Sequence, residues 1–162
     1  MYYHNITKDD MLNGIGLRVV LWLSGCIHAC LDCHNPITWD PSGGIPFDEG
    51  AKRELLKALG QDHIAGITFS GGDPLHPNNQ REVGNLIFEI SLLFPQKNIW
   101  LYTGYLWEHI QGFYPLKKVD VVVDGKFIKS EQNNALPWRG SSNQRVIDVK
   151  KSLAQKILVS YI

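Results

Sequence analysis

At 162 residues with 44% hydrophobic content, the chain has material for one domain with an ordinary globular core. Its 16 Lys and Arg balance 16 Asp and Glu, which removes the electrostatic case for binding nucleic acid or an anionic membrane surface. The longest apolar run near the start, Val19 to Leu23, is far too short for a membrane span or a signal-peptide core, so a cytoplasmic location is expected, where thiols stay reduced.

Leu17 to Leu23 reads as a first strand, apolar on both faces as in a covered parallel strand. All 3 cysteines follow at once, in Cys26-Ile27-His28-Ala29-Cys30-Leu31-Asp32-Cys33. Asn35-Pro36 and Asp40-Pro41-Ser42-Gly43-Gly44 are turn signals. Asp48 is placed to cap a helix reaching about Leu59, with Leu55, Leu56 and Leu59 on one side and Gly60 as the stop. Ile64 to Phe69 is a second strand, ended by Ser70-Gly71-Gly72-Asp73-Pro74. Val83, Leu86, Ile87, Ile90 and Leu93 recur at helical spacing from Gln80 to Leu93, and Pro95 closes that helix. A third strand covers Ile99 to Tyr102, followed by Thr103-Gly104 and a short helix near Leu106 to Gln111. Val119 to Val123 is a fourth strand, ended by Asp124-Gly125, and Arg145 to Val149 is a candidate fifth. Ile157 to Tyr161 reads equally as a strand or as the end of a helix.

Repeated strand–loop–helix order implies right-handed crossovers and a mainly parallel sheet. A closed eight-unit barrel needs about 250 residues, so the expected fold is α/β, an open partial (β/α) barrel formed as one domain over residues 1–162. In such sheets the reactive loops lie at the C-terminal ends of the strands. The cysteine loop, Ser70-Gly71-Gly72-Asp73, Thr103-Gly104-Tyr105 and Asp124-Gly125-Lys126 all fall there.

Three thiols are an odd number for a disulfide framework, and a structural zinc site usually takes four ligands. Spacing alone leaves two metal centres open. One is a [4Fe-4S] cluster held by Cys26, Cys30 and Cys33, with one iron left for another group. The other is a Cys3His zinc site completed by His28 or His34.

The C-x3-C-x2-C spacing resembles the signature of the radical S-adenosylmethionine (SAM) superfamily, and Ser70 to Pro74 resembles that superfamily's glycine-rich motif after the second strand. The likeness extends to the family of anaerobic ribonucleotide reductase activating proteins. It is carried by Asn13 to Gly16, Ser24 to His28, Asn35 to Trp39, Ser70 to Pro77, Trp100 to Tyr105, Val123 to Phe127 and Trp138 to Gln144. The last dozen residues, about 150–162, fall outside it. Two positions depart from the pattern. Asp32 stands before the third cysteine, where this family carries a small Gly, and His34 follows it, where the family carries a Tyr.

The resemblance implies a radical SAM activase. Cys26, Cys30 and Cys33 would ligate the cluster, and Asp32, Cys33, His34, Gly71, Gly72, Asp73, Asp124 and Lys126 would line the SAM site. It further implies a flavodoxin-type electron donor, reductive cleavage of SAM to a 5′-deoxyadenosyl radical, and a glycine loop on the reductase large subunit as the partner. Arg139, Ser141, Ser142 and Asn143 form a loop available to SAM or to that partner. A different glycyl radical enzyme or a small molecule is the alternative substrate. His4, His63, His76 and His109 have no spacing partner and read as surface or satisfied histidines; Trp22 and Trp100 read as core, and Trp39, Trp107 and Trp138 as possible interface anchors.

Overall fold

The computed structural model describes residues 1–162. Its strands are β1 (Tyr2–Asp10), β2 (Arg18–Leu23), β3 (Ile45–Pro46), β4 (Gly66–Gly71), β5 (Asn98–Tyr102), β6 (Val121–Asp124) and β7 (Arg145–Asp148). Its helices are α1 (Glu49–Leu59), α2 (Gln80–Leu93), α3 (Trp107–Ile110) and α4 (Val149–Gln155). The strands form one 7-stranded sheet in the order β3-β1-β2-β4-β5-β6-β7.

The centre of the sheet is parallel: β2 with β4, β4 with β5, and β5 with β6. Its flanks are antiparallel, because β1 pairs with β2 and β3, and β7 pairs with β6. The expectation of a mainly parallel sheet therefore holds in the middle and stops at the edges. A parallel pair needs a crossover of a dozen or more residues. The segment 11–17 between β1 and β2 is too short to supply one, and the connection 125–144 returns as loop rather than as a crossover helix. The sheet stays open, with β3 and β7 as its outer strands.

Strand β1 is absent from the sequence reading for a physical reason. Only Tyr3 and Ile6 of its 9 residues are buried, and its register shifts between Tyr3 and Asn5. The period-2 signal is thereby broken. The two long helices match their sequence signals closely: the Asp48 side chain accepts from the Ala51 N–H at 2.9 Å, and Gly60 ends α1. No helix is long and apolar enough to cross a membrane.

The two faces of the sheet differ. Ile99 and Leu101 of β5, Val122 of β6 and Ile147 of β7 join the main core of 25 buried residues, together with the buried stripes of α1 and α2. The alternating residues Trp100, Val121, Val123 and Val146 form a separate small cluster with Tyr102 and Trp138. Alternation along a strand requires such a division. On this second face Arg18 is fully buried near the N-terminal strand ends. Its guanidinium donates to Thr68 Oγ1, Ile15 O, Asn98 Oδ1 and Ile67 O, and lies 5.2 Å from the Trp100 ring centroid. No carboxylate is among those partners, and burial lowers its pKa to about 10.

The tail 157–161 is neither the end of a helix nor a full strand: α4 stops at Gln155, and one isolated bridge joins Ser160 to Ile147. After α4, the Asp148 N–H donates to Val159 O and the Tyr161 N–H to Val146 O, so the end of the chain runs beside β7. The Tyr161 ring meets Trp100 edge-on at 5.4 Å.

Candidate functional site

A cavity of about 580 Å³ opens at the C-terminal ends of the strands. Cys26, Cys30 and Cys33 all line it, each is half-buried, and none is in a disulfide. The loop that carries them leaves β2 through Gly25 at φ 101 and is turned by Ala29 at φ 47 and Asp32 at φ 56. Asp is one of the few side chains that visits this left-handed region readily. That explains how Asp32 can stand where a Gly is the family pattern. Its carboxylate does not face the cavity; it is exposed and pairs with Lys129 at 3.4 Å. Burial pushes the Cys26 thiol up, while a hydrogen bond from the His28 backbone and nearby negative groups act in opposite directions on it. The Asn35 N–H points at Cys33 Sγ at 3.4 Å.

Gly71 and Gly72 also line the cavity. Their lack of side chains serves chain packing first. A Cβ on Gly71, at φ 104, would stand 2.4 Å from Leu23 N, and one on Gly72 would stand 2.5 Å from Gly25 O. The Gly72 N–H donates to Leu23 O and the Asp73 N–H to Gly25 O, so the end of β4 is stitched to the start of the cysteine loop. The backbone that would meet a ligand is thus the backbone that closes onto β2.

Three carboxylates expected at the SAM site do not line the cavity: Asp32, Asp73 and Asp124. Asp73 is fully buried beneath the cavity wall. It accepts from the Leu75 N–H, Thr103 Oγ1 and the Gly104 N–H, and meets His28 Nε2 at 2.6 Å. Asp124 is taken up by other partners. Its two oxygens are taken by Arg145 at 2.9 and 2.5 Å and by the Trp107 N–H at 2.7 Å, on the side of α3 and β7. In this arrangement it is an internal ion-pair partner of Arg145. Lys126 and His34 do line the cavity, His34 with its ring edge-on to Phe127 at 5.4 Å. Of the polar loop, Arg139 lines the cavity and donates to Gln144 O; Ser141 is buried, Ser142 bonds Glu131, and Asn143 donates to Lys126 O.

The sequence reading missed Tyr102, Phe127 and Gln144 as lining residues, and Asn13 from the turn before β2. Tyr102 packs with Trp100 on the second sheet face, and without register nothing in the sequence told that this face held the cavity. Trp39 and Trp138, set aside as interface anchors, are also in the wall, and Trp107 is buried in the main core.

The donor set suits an iron–sulfur cluster. Three soft thiols face one cavity. A family model described as a 4Fe-4S single cluster domain matches residues 12–147, which makes the molecule a single-cluster iron–sulfur protein on an α/β sheet. The anaerobic ribonucleoside-triphosphate reductase-activating protein of Enterobacteria phage T4 is 44% identical over 146 residues, covering 90% of this chain and 93% of the phage protein. Those of Escherichia coli K12 and Haemophilus influenzae are 39% and 38% identical, covering 90% and 89% of this chain and 97% and 96% of theirs. The chain belongs to the family of anaerobic ribonucleoside-triphosphate reductase-activating proteins.

Proposed function

We propose that this protein activates an anaerobic ribonucleotide reductase as a radical SAM enzyme, with a [4Fe-4S] cluster on Cys26, Cys30 and Cys33 and the sheet acting as a partial barrel around the reaction. One observation carries the reading: three free thiols and the Gly71–Gly72 strand end face the same cavity, of a size suited to a small-molecule ligand. The family membership supports the reductase as partner. A cluster held by Cys26, Cys30 and Cys33 would supply the electron, drawn from a flavodoxin-type donor, for reductive cleavage of SAM to methionine and a 5′-deoxyadenosyl radical, which would take a hydrogen atom from a glycine Cα of the partner.

The chain's own residues do the rest. Backbone carbonyls at Gly71 and Gly72 would accept from the SAM ammonium. Lys126 and Arg139 bring positive charge to a wall that carries no Asp or Glu side chain, which favours the SAM carboxylate. His34 and Phe127 offer an aromatic wall on the same side. The open mouth admits the partner's glycine loop, and its seating excludes water and thiols from the radical. A cytoplasmic setting fits three free thiols.

The test is anaerobic. Iron-reconstituted protein is mixed with SAM, a strong reductant and the reductase large subunit, and the EPR spectrum and 5′-deoxyadenosine are recorded from one tube. A glycyl-type doublet with deoxyadenosine is the expected result. Deoxyadenosine without the doublet moves the substrate to another glycyl radical enzyme or a small molecule. Neither product, from a colourless metal-bound protein, returns the zinc reading.

A further inference from the structure

We infer that His28 is a positioning residue: it locks the cysteine loop to the ends of β4 and β5 through Asp73, and so sets the register between the cluster and the SAM-binding glycines. The inference deepens the proposed function and rests on it. His28 lies between Cys26 and Cys30, yet its side chain is turned away from bulk water, 6% exposed, onto a carboxylate that is 0% exposed. The His28 Nε2 to Asp73 Oδ2 distance is 2.6 Å. Asp73 is itself fixed by Leu75 N–H at 2.8 Å, Thr103 Oγ1 at 3.0 Å and Gly104 N–H at 3.0 Å. A buried carboxylate with this many donors has one orientation, so it makes a rigid anchor.

The pocket for the imidazole is equally specific. The Tyr105 ring meets it edge-on at 4.7 Å. Gly104 forms its floor, where a Cβ would lie 2.3 Å from His28 Cδ2. Gly104 therefore lacks a side chain because His28 occupies that space. Thr103-Gly104-Tyr105, read from sequence only as one more strand-end motif, is the seat of a residue from the cysteine loop. SAM has to touch both the cluster, on that loop, and the Gly71–Gly72 backbone, on β4. Two surfaces on different segments bind one ligand well only when their separation is already set.

A second His–Asp pair provides the control. His63 and Asp9 are 3.1 Å apart with side chains 55% and 65% exposed, far from the cysteine loop in sequence and outside the cavity wall. The experiment compares H28A, H28Q, G104A and H63A with the wild type. Hydrogen exchange is measured on the protein without cluster. Iron content, SAM affinity and the change in the reduced-cluster EPR spectrum on adding SAM are measured after reconstitution. In H28A and G104A, exchange across residues 26–34 is expected to accelerate. Their Kd for SAM is expected to rise about tenfold and the SAM-induced EPR change to shrink, the scale of one lost charge-assisted hydrogen bond. H28Q keeps an N–H donor at comparable reach and is expected to recover most of the affinity; H63A is expected to match the wild type. Wild-type exchange and affinity in both H28A and G104A would overturn the inference, as would H28Q behaving like H28A. A wild-type protein that holds iron but does not bind SAM sinks the proposed function instead, and the exchange data from the metal-free protein still test the lock.

Discussion

The ends of β4 and β6 carry the same local signal, an aspartate beside glycine at the exit of a buried parallel strand, and use it in opposite ways. Asp73 and Asp124 are both 0% exposed, and both accept a backbone N–H, from Leu75 and from Trp107. Beyond that they diverge. Asp73 turns toward the cysteine loop and holds His28, Thr103 and Gly104, so it joins three segments around the cavity. Asp124 turns toward the antiparallel edge and holds Arg145, which also reaches the exposed Glu108. At the β4 end the buried charge aligns the cysteine loop with the end of β5. At the β6 end it fastens β7 and α3. A strand-end carboxylate is defined by the segment it faces, and that is a property of the fold rather than of the motif.

The comparison predicts a hierarchy of damage. The largest effect comes from the thiols. Replacing Cys26, Cys30 or Cys33 by Ala should abolish cluster-dependent SAM cleavage. The half-buried loop should leave Tm within about 2 °C, the range of substitutions outside the core. Iron analysis with deoxyadenosine quantification checks it, and a variant with full cleavage removes that cysteine from the ligand set. Next is Gly71→Ala. The added methyl needs φ 104 and collides with Leu23 N at 2.4 Å, so strain and overpacking together should cost about 3 kcal/mol. Denaturant unfolding measures this, and because β4 is stitched to β2 there, the loss of SAM affinity should exceed that of any variant at the β6 end.

Much of this architecture was legible in the residues. Helix α2 kept its limits because its apolar stripe runs for four turns, and α1 because Asp48 and Gly60 mark its ends. The cysteine loop declared itself by holding every thiol in the chain. What stayed hidden depends on distance in sequence. His28 and Asp73 are 45 positions apart, and His28 and Gly104 more, so the pair's function had no local mark. His28 read as a possible metal ligand for the same reason that it makes a good clamp: its spacing puts it beside the cysteines. The glycine pair read as room for a ligand; the structure shows room for the end of β2 and the start of the cysteine loop. The Asp124–Arg145 pair was hidden because Arg145 arrives from β7, an outer strand that runs antiparallel to β6. Strand β1 was hidden by its polar, bulged sequence.

At the β6 end the expected damage is to stability and not to chemistry. Asp124→Ala leaves Arg145 half-satisfied and the Trp107 N–H buried without an acceptor, at a cost of about 2 kcal/mol, below that of a fully enclosed pair because Glu108 still holds the guanidinium. SAM affinity per folded molecule should stay at the wild-type value. A tenfold loss of SAM affinity in this variant would erase the distinction between the two strand ends.

The smallest effect is also the one with a pH signature. Hydrogen bonds from Arg145 hold the Glu108 carboxyl down to about 2, well below its ordinary value of 4.5. A depressed carboxylate pKa contributes stability that is complete above the unfolded value and is lost as pH falls through the folded one. The window is therefore between pH 4.5 and about 2, and nothing should change above it. Glu108 is 53% exposed, so solvent screening limits the contribution to about 0.5 kcal/mol, or a shift of about 1–2 °C in Tm. In Glu108→Gln the Tm at pH 7 should drop by that amount, and the part of the acid dependence that differs from wild type should vanish by about pH 2. Because Asp124 shares the same guanidinium, Glu108→Gln in an Asp124→Ala background should cost more than it does alone. The two carboxylates substitute for each other at Arg145, whereas nothing substitutes for Asp73 at His28. Equal costs in the two backgrounds would show that Glu108 and Asp124 act independently, and that the outer end is not the shared, redundant fastening its geometry describes.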